Sequence, residues 1–295
     1  MFVYPDHNFL IGCIKNPEWR DLVMKSQRSG AVSVVLSPWH CYEYGNARDY
    51  PDTEDLVRLV EGLQPLWIME RADLQLFEYW VVWNQVWKSA PDEVAPLCTF
   101  DQSVSIMSRV GIQAVQEATF RDLVRRFSED DALEMVRNEL GKYQEIAASN
   151  RRAHILGKFT SDVETQLDYV HLTTAQARLE TRSLDRSKVD PRAAELSREQ
   201  PIATQFECFI YWGMMRKLKS YQVERAFTRD LYSTGGKLDV NRSVDRQHAT
   251  ICLPYVHVFV TDDRKLRSTC ERVIPTLGFP VATVMSSEKF IDTLR

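Results

Sequence analysis

Apolar residues gather in short β-branched bursts near the two ends of the chain and in longer, helix-period stretches between them. "FVYPD" (2–6) is an apolar run of strand length, and "NPEWRDLVMKSQRSG" after it has helical spacing and closes at Gly30, a residue suited to a helix C-terminus. "AVSVVLS" (31–37) predicts a second buried strand, since β-branched side chains fit a pleated surface. "SPWHCYEYGNA" then opens a helix with Ser37 at the N-cap and Pro38 at its first position, where a missing N–H costs nothing. "PLWIM" (65–69), "HVFVT" (257–261) and "PVATV" (280–284) are further strand-length runs flanked by turn or helical sequence. Continuous apolar runs of this length are the mark of parallel strands covered on both faces.

Between about 72 and 232 the pattern is helical. Trp80, Trp83 and Trp87 recur on one helix face, more consistent with a core stripe than with a base-stacking platform. Ser128 and Asp131 stand as a capping-box variant ahead of an amphipathic run, whereas 183–201 is charged, bracketed by prolines and reads as loop. The order predicts an α/β fold, a parallel sheet flanked by helices, built from 1–71 and 233–295 and interrupted by a long α-helical insertion at 72–232.

The chain has 295 residues, 44% hydrophobic and 26% charged, which suits a globular protein with a sizeable core. No apolar run approaches the roughly 20 residues needed to cross a bilayer, and the N-terminus lacks the basic region of a signal peptide, so a cytoplasmic protein is expected. The six cysteines, at 13, 41, 98, 208, 252 and 270, show no paired spacing, which speaks against structural zinc and for reduced thiols. A net charge of -4 argues against non-specific coating of nucleic acid, while leaving room for an acidic site balanced by metal.

The acids sharpen this picture. Asp6 ends the first predicted strand, Glu43 lies in the helix after the second, Asp245 precedes the strand at 257–261, and Asp262 and Asp263 close that strand. In an open parallel sheet the carboxyl ends of the strands form the ligand crevice. Carboxylates from distant parts of the chain therefore converge on one sheet edge. Such a cluster suits Mg²⁺ or Mn²⁺, hard cations that prefer oxygen ligands and support phosphodiester cleavage.

In order and context these segments resemble the PIN-domain nucleases, metal-dependent ribonucleases that include many bacterial toxins. "VYPDHN" matches the family's opening strand with its Asp and following Asn (Asp6, Asn8), and "VVLSPWHCYE" its second acid, Glu43. "DRQHATICLPYVHVFVTDD" matches an upstream Asp, a strand, then Thr-x-Asp, giving Asp245, Thr261 and Asp263 with Asp262 at the variable position. The resemblance covers about the first 70 and last 60 residues. It implies that Asp6, Glu43, Asp245 and Asp263 are catalytic and bind Mg²⁺ or Mn²⁺ with help from Asp262, while Thr261 and Asn8 support them. It implies RNA as substrate, with DNA as the alternative, and a protein inhibitor or antitoxin as a partner. A membrane partner is not implied, and the oligomeric state is left open.

Each acid alone has a plainer reading. Asp262 or Asp263 could cap the helix "RKLRSTCERV", Asp6 could start a turn, and Glu43 could pair with Arg48. His248, one turn after Asp245, reads as a structural partner to a carbonyl or an acid, and His7 as a turn residue or a substrate contact. "MMRKLKSYQVERAFTR" (214–229) carries Arg216, Lys217, Lys219 and Arg225, a phosphate-binding face or a solvated one. Arg151, Arg152 and Lys158 form a weaker second candidate, and Arg264 and Lys265 directly follow the acids. The rival readings are a non-catalytic PIN-like module that binds RNA or protein, and a haloacid-dehalogenase-type phosphatase. The latter wants Asp-x-Asp after the first strand, where this chain has Asp6-His7-Asn8.

Overall fold

A computed structural model describes residues 1–46, 53–68, 217–234 and 240–295, with short pieces at 71, 74–75, 77–78, 81–82, 97–98 and 120–121. The β-branched bursts become strands β1 (Phe2–Pro5), β2 (Ser33–Leu36), β3 (Leu66–Ile68), β5 (Val258–Val260) and β6 (Thr283–Met285). These five run parallel, and a two-residue strand β4 (Leu97–Cys98) adds antiparallel to β3, giving the order β4-β3-β2-β1-β5-β6. Side chains alternate across the sheet, as the period of two requires. Val3, Val34, Leu36, Trp67, Val258 and Val260 enter one core. Tyr4, Val35, Ile68 and Phe259 enter the other.

Helices cover both faces. On the first lie α1 (His7–Lys15), α2 (Pro17–Arg28), α4 (Thr53–Leu63) and, at the end of the chain, α8 (Ser287–Leu294); α3 (Pro38–Asn46) follows β2 across the sheet's carboxyl edge. On the second lie α5 (Lys219–Ser233), α6 (Val240–Cys252) and α7 (Arg264–Val273), which continues into a 3₁₀ turn at Ile274–Thr276. The α/β architecture predicted from the sequence is present. The fifth run is displaced: "PVATV" contributes its last two residues to β6, which extends to Met285.

Helix α1 was not expected. The sequence around Asp6 and His7 reads as a turn, yet the Asp6 carboxylate accepts the Phe9 N–H at 2.8 Å and caps a new helix. Phe9, Leu10 and Cys13 bury its inner face, and Asn16 ends it, because Pro17 cannot continue the helical hydrogen bonding. Asn16 then caps α2, accepting from Glu18 N at 3.1 Å. Gly12 lets the two helices approach: a Cβ there would stand 3.1 Å from the Trp19 ring.

The stretch expected as an insertion also meets the sheet domain. Helix α5 packs on α6 and α7, and Glu224 on α5 sits fully buried, accepting from Arg71 Nη1 at 3.0 Å with Arg246 Nη2 at 3.6 Å. Glu78 accepts the Ser220 N–H at 2.8 Å and the hydroxyls of Ser220 and Tyr255. The Trp80, Trp83 and Trp87 stripe, the Ser128 cap and the 183–201 loop lie outside the described residues. Removing one member of a buried ion pair leaves its partner's charge uncompensated. Glu224→Ala is therefore expected to lower the unfolding free energy by about 3 kcal/mol or more, read from urea denaturation.

Candidate active site

The connections from β1 to β2 and from β5 to β6 run outward in opposite directions, so the strand order reverses between β1 and β5. That reversal opens a crevice at the carboxyl ends of the two strands. Asp6 leaves β1 and Thr261 leaves β5 side by side, because Asp6 N–H donates to Val260 O at 2.8 Å. The Thr261 hydroxyl donates to the Asp6 carboxylate and accepts the Asp263 N–H at 3.1 Å. One buried threonine thus ties the acid of the first strand to the acid of the fifth.

The paired aspartates separate their tasks. Asp263 caps α7, its Oδ1 accepting from Lys265 N at 2.6 Å and Leu266 N at 2.8 Å. Its other oxygen accepts no hydrogen bond among the described residues. Asp262 turns to α8, where it accepts the Ser287 N–H at 3.0 Å and the Ser287 hydroxyl, with Arg267 Nη1 at 3.7 Å. The repulsion implied by their adjacency is relieved by two helix N-termini.

Glu43 on α3 and Asp245 on α6 face the same region from two sides. Glu43 Oε2 lies 3.2 Å from His248 Nε2, an ion-pair contact in which neither atom completes a hydrogen bond among the described residues. Burial opposes ionisation of Glu43, but its interaction with His248 outweighs it and holds the carboxyl below its usual range. His248 shows the converse: burial disfavours its charge, yet Glu43, Asp245 and Asp6 raise its pKa. Burial, with Glu43 and Asp262 adding to it, pushes Asp6 up to about 6 despite its hydrogen bonds. Asp245 is pushed up to about 7 by burial and by Asp263, Glu43 and Asp6, against a lowering pull from His248. It accepts no hydrogen bond among the described residues.

The other two histidines stay largely uncharged. Burial lowers His7, and burial with the neighbouring His248 lowers His40 to about 3. Four carboxylates therefore act on one another here against a single favoured imidazolium. Among the described residues, no group of three or more His, Cys, Asp or Glu side chains stands at the spacing that would hold a metal ion.

The remaining candidates sit farther out. Asn8 is exposed on the first turn of α1. Lys217 is exposed, Lys219 lies 6.0 Å over the Tyr255 ring, and Arg225 is half-buried on α5. Arg216, Arg48, Arg151, Arg152 and Lys158 lie outside the described residues. Arg264 and Lys265 are exposed at the start of α7. Sequence reasoning overlooked Tyr4, Ser37 and His40, which form a buried polar chain behind Glu43 and His248. Its one signal was a tyrosine in a central strand, whose hydroxyl needs a partner. Ser37, expected as an N-cap, instead hydrogen-bonds the Tyr4 hydroxyl at 2.5 Å.

No family model, no curated protein and no solved structure matches the chain. Among the described residues no helix is long and apolar enough to cross a membrane, and Cys13, Cys41, Cys252 and Cys270 are free and buried.

The raised acids set a pH dependence. A carboxyl whose pKa rises on folding contributes stability that is full below its unfolded value and is lost as pH rises through the folded one. Asp6, moving from 3.8 to about 6, and Asp245, from 3.8 to about 7, both lose that contribution by neutral pH. Chelator-treated protein is expected to unfold at progressively lower urea as pH rises from about 5 to 7. Asp6→Asn should flatten that decline, with roughly 3 kcal/mol at stake over the whole titration.

Proposed function

We propose that the chain is a Mg²⁺- or Mn²⁺-dependent phosphodiesterase of the PIN type that cleaves RNA. The observation that carries this reading is Asp245: a carboxylate with no hydrogen-bond donor among the described residues, pushed up to about 7 beside Asp6, Glu43 and Asp263. Carboxylates gathered at a strand-order reversal without enough basic partners fit a hard divalent cation by the chemistry of their oxygen donors. Asp6, Glu43, Asp245 and Asp263 would hold it, drawing closer together than they stand in this structure. Such a cation offsets negative charge on the phosphoryl group and makes a water acidic enough to attack.

The chain's own residues supply the rest. Thr261 orients Asp6 through its hydroxyl and fixes the turn that presents Asp263. Asn8, exposed one residue beyond His7, is available to the scissile strand. Lys217, Lys219 and Arg225 on and before α5 would grip phosphates, and RNA is favoured over DNA by the motif resemblance. The same resemblance supports an inhibitor or antitoxin as partner, and the unpaired cysteine spacing supports a cytoplasmic protein.

A second reading has one observation in its favour. Glu43 is ion-paired to His248 at 3.2 Å, which is how a non-catalytic module would neutralise a leftover acid. The two readings differ in turnover. Labelled RNA incubated with Mn²⁺ is expected to be cut by the native chain and protected by chelator. Asp6→Ala and Asp263→Ala are each expected to abolish cutting while leaving the far-ultraviolet circular dichroism unchanged. RNA that is bound but never cut would assign the chain to the binding module.

A further inference from the structure

Asp245 reaches the crevice from α6, and the two halves of that helix are held differently. Ala249, Ile251 and Cys252 anchor its second half in the apolar core of the second face. Among the described residues no side chain of 240–247 belongs to either apolar core, although Val244 is buried. The half that carries Asp245 is gripped by polar contacts instead.

Those contacts converge on Arg246. It is 4% exposed, so its charge needs a partner inside the protein. Nη2 lies 3.6 Å from Glu224 Oε1, and Nη1 donates to Thr228 Oγ1 at 3.2 Å. Glu224 and Thr228 stand one turn apart on α5 and share a face, as an i,i+4 pair does. Glu224 is 0% exposed and is fixed from another side as well. Arg71 Nη1 donates to its Oε1 at 3.0 Å and Gln75 Nε2 to its Oε2 at 3.4 Å, from 153 and 149 positions earlier in the chain. Successive side chains on a helix diverge by about 100°. An Arg246 held against α5 therefore leaves Asp245 turned toward Asp263, Glu43 and Asp6.

We propose that Glu224 and Arg246 are positioning residues that set where Asp245 stands in the crevice. Their contact fixes the rotation of α6 about its own axis. It also keeps the Arg246 charge on α5, where it cannot occupy the space among the carboxylates. Through Glu224 the segment around Arg71 and Gln75 bears on the site without touching it. The consequence for metal binding rests on the proposed function; the placement of Asp245 does not. Losing a group that orients a ligand from behind typically costs about 10- to 100-fold in metal affinity or activity.

Amide hydrogen exchange of the full, metal-free chain, read by mass spectrometry, tests the placement. Glu224→Gln keeps the side-chain volume and removes the charge. Arg246→Met cuts the same contact but leaves Glu224 its bond from Arg71, so it remains a folded test should Glu224→Gln unfold. In each folded variant exchange is expected to quicken across 240–247 and to stay native across 249–252. Exchange unchanged over 240–247, or quickened equally through α6 and the sheet, would overturn the proposal. Calorimetry with Mn²⁺ gives the second readout, and affinity is expected to fall about 10-fold in both variants. Glu78→Gln disturbs the buried contacts of Glu78 with Ser220 and Tyr255 and is the control for stability loss alone, expected to retain native affinity. Equal losses of affinity in Glu78→Gln and Arg246→Met would refute the positioning role. Should the native chain bind no Mn²⁺, the exchange pattern still decides how Asp245 is placed, and the failure then belongs to the metal reading alone.

Discussion

Negative charge collected in a poorly solvated crevice is the constraint around which this molecule is arranged. Like carboxylates raise one another's pKa, and burial raises them further. The chain meets that cost in several ways. Helix N-termini take Asp6, Asp262 and Asp263, each accepting backbone N–H groups. A histidine takes Glu43. Asp245 receives neither, and its pKa moves farthest of the acids in the crevice.

The fold follows from where those compensations must be. A parallel sheet delivers strand ends to one edge, and the reversal of strand order at β1 and β5 leaves that edge open. Each acid then needs a helix starting where its strand stops. Helix α1 exists because Asp6 caps it, and α7 begins where Asp263 caps it. Glu43 and Asp245 come from helices instead, so their placement depends on packing of α3 against α6. The buried Arg71–Glu224–Arg246 contacts extend that packing, because Arg246 adjoins Asp245 on α6.

Much of this was legible in the chain. Bursts such as "AVSVVLS" and "HVFVT" announce parallel strands because both faces are buried, and the register of β1 on β5 then brings Asp6 and Thr261 together. Local signals failed where tertiary contacts decide. Asp6 looks like the start of a turn until Phe9, Leu10 and Cys13 are seen to bury a helix face. "PVATV" carries apolar residues that extend past its start because only Thr283–Met285 pairs with β5. Ser37-Pro38 has the form of a helix cap, yet Tyr4, thirty-three positions earlier, claims the hydroxyl. No spacing rule reveals a contact between Tyr4 and His248, separated by 244 positions. Asp262 and Asp263 likewise read as equivalent neighbours, and only the arrival of Ser287 from the last helix distinguishes them.

The central claim is that the charge left over at this edge is held for a divalent cation. Thermal unfolding followed while MnCl₂ is titrated into chelator-treated protein tests it most directly, since a ligand that binds only the folded state raises its stability. The account predicts a saturable rise in melting temperature that is absent from Asp245→Asn, with MgCl₂ acting in the same sense. A melting temperature indifferent to both ions, or one raised equally in the native chain and in Asp245→Asn, would contradict it.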